Sequence, residues 1–303
     1  MEKIVIISGP TASGKTSLSI RLAHEINGEI ISCDSMQIYK NMDIGTAKIK
    51  EEEKEGIPHH MIDIIDPDEE FSVNEFVDLV DDLIKKIISS KKTPILVGGT
   101  GFFIHSLIFG LSQLPSKDDN LRSQYEKIHK EKGESALYEI LLKKWPERAE
   151  QLDKSDKKRI IRALEIYDLG AKDSFYNEKK KKYDFVMFYI DTPREILWNR
   201  IEKRVHMMIK QGLEQEVRDI LKSTGFSKQA AKGIGYSEMI EYINGKKYKK
   251  IKDVAKDISI HTRQFSKRQR TFFKNKFKNM IFLENSDINM DKIKKYFHNS
   301  EGI

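Results

Sequence analysis

Short apolar runs alternate with longer stretches of helical periodicity through the first third of the chain. Ile4–Ser8, Glu29–Ser32, Met61–Ile64 and Pro94–Val97 read as strands. Thr16–Ile26, Val73–Ser89 and Phe102–Phe109 carry apolar residues at the spacing of one helical face. Strands in alternation with helices predict an α/β fold around a doubly wound parallel sheet. Right-handed crossovers bring the loops after such strands to one edge, so segments 9–16, 33–37 and 98–101 should converge there.

Past residue 111 the strand signals stop. Leu121–Lys132, Ser135–Lys144 and Lys157–Leu169 have helical spacing, broken by Pro146 and Gly170. The core resumes with the apolar strand Phe185–Ile190, and Asp191-Thr192-Pro193 then starts a helix at Arg194. Helices continue through Leu221, over Tyr236–Ile243 and over Val254–Phe273, and Ile281–Leu283 offers one more strand. The pattern therefore predicts an α/β core of residues 1–111 and 185–303 carrying a helical insertion at 112–184.

Between the first strand and the first helix stands Gly9-Pro10-Thr11-Ala12-Ser13-Gly14-Lys15-Thr16, which is G-x-x-x-x-G-K-T in the strand-loop-helix setting that motif requires. Such a phosphate loop (P-loop) turns its N–H groups inward beneath a helix N-terminus, a cradle for a diphosphate or triphosphate. Lys15 adds a mobile positive charge, and the Thr16 hydroxyl is a ligand for Mg²⁺. The strand Pro94–Val97 ends in Gly98-Gly99-Thr100 with no acid, so the aspartate that holds Mg²⁺ in nucleoside-triphosphate hydrolases is missing from its usual place.

Composition narrows the partners. The chain has 303 residues, 39% apolar and 33% charged, with a net charge of +7. Its apolar runs fall far short of the ~20 residues of a membrane span. A lone cysteine, Cys33, excludes an internal disulfide, and with no signal peptide at Met1-Glu2-Lys3 the expected compartment is a reducing cytoplasm. No coiled-coil pattern calls for a dimer, so a monomer is expected. From His261 to Lys278 basic residues are interleaved with Phe265, Phe272, Phe273 and Phe277, without one acid. Further basic blocks stand at Lys157-Lys158-Arg159 with Arg162 and at Lys179–Lys182. These are either solvated faces or sites for a polyanion such as nucleic acid.

Asp34-Ser35-Met36-Gln37 sets a carboxylate beside an amide after the second strand. Asp34 is a base for an amine, a displaced metal ligand, or the acceptor of an Asx-turn, while Gln37 has the groups to read a base edge. Gly98-Gly99-Thr100-Gly101 offers donors to a charge developing on a leaving group, or a tight turn. His59-His60 lacks partners for a metal, and Cys33 reads as a buried filler. On the P-loop alone, a small-molecule or nucleotide kinase is the alternative enzyme.

A series of segments, in order, resembles the bacterial tRNA dimethylallyltransferases, the isopentenyl-tRNA (IPP) transferase family. They are Ser8–Thr16, Ser32–Tyr39, Ile57–Asp63, Val97–Gly101, Asp156–Glu165, Gly233-Ile234-Gly235-Tyr236 and Thr262–Gln269. The resemblance implies transfer of a dimethylallyl group from dimethylallyl diphosphate to N6 of the adenosine immediately 3′ of the anticodon, in tRNAs reading codons that begin with U. It implies that the P-loop, Gly9 to Thr16, holds the diphosphate with Mg²⁺, that Asp34 is the base and that Thr100 bonds the departing bridging oxygen. Lys15 and Arg122 fall at further catalytic positions. Asp34, Ser35, Met36 and Gln37 match tRNA-contacting segments, as do Lys158, Arg159, Ile160, Ile161 and Arg162, with the insertion gripping the anticodon stem-loop. Phe102 and Phe103 replace the family's common Leu-Tyr, and Thr271-Phe272-Phe273 replaces Thr-Trp-Phe. Arg200 and Arg204, on the helix after Asp191, are within reach of the diphosphate by our own reading.

Overall fold

A computed structural model describes residues 3–110, 115, 117–172, 182–284, 290 and 293. The chain divides into two compact units: residues 1–108 with 181–303, and residues 109–180. Of the lysine run at 179–182, only Lys182 lies within the described residues.

Unit 1 is built on strands β1 (Lys3–Ser8), β2 (Gly28–Ser32), β3 (His59–His60), β4 (Thr93–Gly98), β5 (Asp184–Ile190) and β6 (Ile281–Leu283). They form one six-stranded parallel sheet in the order β3-β2-β4-β1-β5-β6. Ile4, Val5, Ile6 and Ile7 are all buried, because a central parallel strand is covered on both faces. Helices α1 (Lys15–Glu25), α2 (Val73–Ser89) and α3 (Gly101–Phe109) link the first strands. Helix α2 begins where the sequence puts it because Ser72 and Glu75 form a reciprocal capping box.

The predicted strand at Met61–Ile64 is absent. Pairing in β3 stops at His60, and Met61 and Asp63 take left-handed backbone angles (φ 62° and 55°), which bend the chain out of the ladder. Ile64 instead returns its N–H to the carbonyl of Ile38 at 2.8 Å. The helices expected after Asp191 are two: α7 (Arg194–Gln211) ends at Gly212, whose φ of 102° separates it from α8 (Leu213–Lys222). Helices α9 (Tyr236–Ile243) and α10 (Ile251–Lys276) complete unit 1.

In chain order, unit 2 carries α4 (Asp119–Lys144), interrupted by Gly133, then α5 (Pro146–Ala149) and α6 (Lys157–Asp168). Trp145, Leu137, Leu141, Leu152 and Leu164 make a core of its own. Unit 1 is rejoined at Lys182, whose N–H donates to the Ile108 carbonyl at 2.8 Å, and Asp81 of α2 accepts from Lys182 and Tyr183.

Candidate active site

The loops at the carboxyl edge of the unit 1 sheet are knitted to one another. Gly14 caps α1 in the left-handed region (φ 95°), which opens the loop so that α1 begins at Lys15. Lys15 folds back over the loop and donates from Nζ to the carbonyls of Gly9 (3.0 Å) and Pro10 (2.8 Å). Burial and the neighbouring Arg204 push its pKa down to about 8, with Asp34 pulling the other way. Arg204 reaches from α7 to donate to Thr11 Oγ1 at 3.3 Å, and burial lowers its pKa too, against the pull of Asp34. Two desolvated cations share one carboxylate beside the phosphate loop. Such a site is electrostatically unfinished until an anion enters.

Asp34 sits one residue beyond Cys33, whose backbone is locked to β4. The Cys33 N–H donates to Val97 O at 2.7 Å, and Cys33 O accepts from Thr100 N–H at 3.1 Å. The Cys33 thiol is fully buried, and burial and then Asp34 push its pKa up, so it is no nucleophile. Asp34 Oδ1 accepts from Met36 N–H at 2.9 Å, an Asx-turn that leaves Oδ2 without a protein partner among the described residues. Thr100 Oγ1 accepts from Ser35 N–H at 3.1 Å and donates to Ser35 Oγ at 3.5 Å, a long bond that a better acceptor would displace. Base and donor are thus held in one frame.

Gln37 is already engaged: its Oε1 accepts from Ser32 Oγ at 3.1 Å and its Nε2 donates to Thr46 O at 3.4 Å. These two bonds brace the loop. That loop is held further by Glu216 of α8, whose carboxylate accepts from the N–H groups of Asp43, Ile44 and Gly45 and from the Tyr236 hydroxyl at 2.7 Å. Met36 Sδ packs against Gly233 of the same Gly233–Tyr236 segment.

A group the sequence reading did not single out is Gln269 on α10, 6% exposed. Its Oε1 accepts from Thr11 N–H at 3.0 Å, and its Nε2 donates to Gly99 O at 3.0 Å. A Cβ on Gly99 would stand 2.1 Å from that nitrogen, so only glycine lets the two meet. The signal available was its place in the Thr262–Gln269 segment. Arg200, by contrast, is exposed on α7.

The remaining expected residues belong to unit 2. Lys158 and Arg159 are exposed at the start of α6, while Ile160 and Ile161 are buried in the core of that unit. Any contact with a ligand from this stretch therefore falls to the basic side chains. Arg122 and Arg162 both bond to the buried carboxylate of Glu165.

Thr16 is exposed in the first turn of α1, and among the described residues no cluster of three or more His, Cys, Asp or Glu side chains offers a metal site. That donor set does not build a standing metal centre. It fits a hard divalent ion that arrives with a diphosphate and takes most of its oxygen ligands from it.

Comparison with known proteins places the chain in a family. A family model described as IPP transferase matches residues 37–276. A tRNA dimethylallyltransferase of Acetivibrio thermocellus is 41% identical, with 100% of this chain and 99% of that protein covered. One from Halothermothrix orenii is 45% identical over 89% of this chain and 84% of its own length. Among solved structures, the full-length tRNA isopentenylpyrophosphate transferase of Bacillus halodurans superposes with a TM-score of 0.73 at 38% identity, covering 100% of this chain and 96% of that one. A eukaryotic dimethylallyltransferase acting on tRNA gives 0.80 at 29% identity, covering 96% of this chain and 75% of that one.

Proposed function

The chain belongs to the IPP transferase family, and as a tRNA prenyltransferase, we propose, it moves a dimethylallyl group from dimethylallyl diphosphate to N6 of the adenosine immediately 3′ of the anticodon in tRNAs reading codons that begin with U. The observation that carries this reading is the Ser35 N–H to Thr100 Oγ1 bond of 3.1 Å, which ties the Asp34 carboxylate and the Thr100 hydroxyl to the same edge as the P-loop.

The P-loop N–H groups, Lys15 and Arg204 receive the diphosphate, and Lys15 exchanges its two backbone carbonyls for phosphate oxygens. The allylic C–O bond breaks, its electron pair staying with the bridging oxygen, toward which Thr100 donates its proton as a hydrogen bond. The N6 lone pair forms the new C–N bond, and the N6 proton passes to Asp34. Mg²⁺, held by Thr16 and the diphosphate, supplies charge neutralisation of the leaving group when bound. No step needs an acid at the end of β4, which favours prenyl transfer over the kinase alternative. Asp34–Gln37 in unit 1, and Arg122, Lys158, Arg159 and Arg162 in unit 2, serve tRNA, whose target base must leave its stack to meet the chemistry.

The test supplies unmodified tRNA, Mg²⁺ and labelled dimethylallyl diphosphate and follows label into acid-precipitable RNA. Label that disappears when the target adenosine is replaced supports the reading. Absence of label, with transfer of the ATP γ-phosphate to small acceptors, replaces it with the kinase.

A further inference from the structure

Glu165 of α6 has no solvent exposure, although the segment around it is strongly basic. Three groups from three places converge on its carboxylate. Arg122 of α4 approaches with two arms, Nε at 3.2 Å from each oxygen and Nη2 at 3.1 Å from Oε2. Arg162, three residues earlier on α6, donates from Nη1 to Oε2 at 2.6 Å, and the Asp118 N–H donates to Oε1 at 2.5 Å. Burial opposes the charge on Glu165, but these hydrogen bonds outweigh it and hold its carboxyl below the usual range.

The consequence lies in the arginines. A long cationic side chain loses rotamer freedom when fixed, and two guanidiniums side by side repel. A buried anion between them overcomes both, and Pro115 O pins Arg162 again through Nη2 at 2.7 Å. Yet the pair stays 32% and 31% exposed, and Arg122 Nη1 and Arg162 Nε have no partner among the described residues. Each guanidinium therefore keeps a donor for an outside acceptor. The cluster of two cations and one anion retains a net positive charge.

We infer that Glu165 is a positioning residue for RNA: its buried carboxylate sets Arg122 and Arg162 at fixed spacing as a pair of phosphate-binding guanidiniums. The inference rests on the reading of residues 109–180 as the tRNA-binding unit. It makes a prediction that bare electrostatics contradicts. Glu165→Gln raises the net charge of the patch, so charge alone calls for tighter RNA binding, whereas loss of the pair's geometry calls for weaker binding.

The experiment measures steady-state transfer to tRNA by full-length Glu165→Gln and Glu165→Asp, alongside thermal melting. Positioning predicts a KM for tRNA raised roughly tenfold in both, with kcat and the KM for dimethylallyl diphosphate unchanged and native melting retained. Glu165→Asp keeps the charge but withdraws the carboxylate, and so serves if Glu165→Gln does not fold. An unchanged or lower KM for tRNA overturns the inference. So does loss of native melting in both variants, which would make Glu165 a residue of folding. Failure of the wild-type protein to prenylate tRNA would instead remove the proposed function, an outcome read in the same assay.

Discussion

Gln269 donates its side-chain amide to the carbonyl of Gly99 at 3.0 Å across 170 positions of sequence, and the same amide accepts from Thr11. One buried side chain thereby sets the separation between the phosphate loop and the turn that carries Thr100.

Replacing Gln269 with leucine keeps the volume and removes both bonds. Each unpaired buried backbone group costs about 1–3 kcal/mol, so the melting temperature falls. Misplacement of Thr100 relative to the diphosphate lowers kcat by at least about tenfold, while tRNA affinity holds. Wild-type kinetics in this variant would show that the two loops keep their spacing without the strut.

Asp34→Asn preserves the acceptor for Met36 N–H and hence the turn. It removes only the capacity to take a proton. Transfer should drop by about 10²–10⁴-fold, the usual worth of a general base, with gel-shift affinity for tRNA unaltered. Full turnover in the variant would strip Asp34 of that role.

Lys15 gives a pH signature. Its pKa in the folded protein is about 8, below the ordinary 10.5. Between those values the unfolded chain holds a proton that the folded one has lost, so stability rises with pH through that window. Below pH 8 the folded protein carries the ammonium at a cost of about 3 kcal/mol. Lys15→Met should therefore melt higher than wild type at pH 7, lose that advantage between pH 8 and 10.5, and transfer nothing. In the wild type, the KM for dimethylallyl diphosphate should climb as pH passes 8. A lower melting point for Lys15→Met at pH 7 would contradict the assignment.

Chelation of divalent ions should stop transfer and weaken diphosphate binding, yet leave the melting temperature of the ligand-free protein unchanged, because Thr16 and the loop build no standing metal centre. A chelator that destabilises the ligand-free protein would reveal a resident ion.

What the sequence discloses tracks the range of the interactions involved. The phosphate loop, β1 and the start of α2 are written in contiguous residues: an apolar run, a glycine-lysine motif, and Ser72 three positions before Glu75. The bend at Met61–Asp63 is less visible, since an apolar pair gives no sign of left-handed backbone. Least visible are Gln269, Glu216 and Glu165, each of which looks like an ordinary polar position on a helix. Their partners come from other elements, 170 residues away for Gln269 and Gly99 and 43 for Arg122 and Glu165. Local periodicity carries no information about such meetings. Arg204 is legible only through its place on the helix after Asp191, for its partner Thr11 lies 193 positions away.

The bond between Ile108 and Lys182 makes unit 2 a closed detour of the backbone. Loop closure grows costlier only slowly with length, so the sheet is nearly indifferent to how large the detour is, and lineages can lengthen or trim it without redesigning the core. The same arrangement imposes an order on biosynthesis. β1 is flanked by β4, made before the detour, and by β5, made after it. While the ribosome writes residues 109–180, the nascent sheet waits with one side of its central strand unzipped, and the helical unit has that interval to collapse on its own before the last seam is sewn.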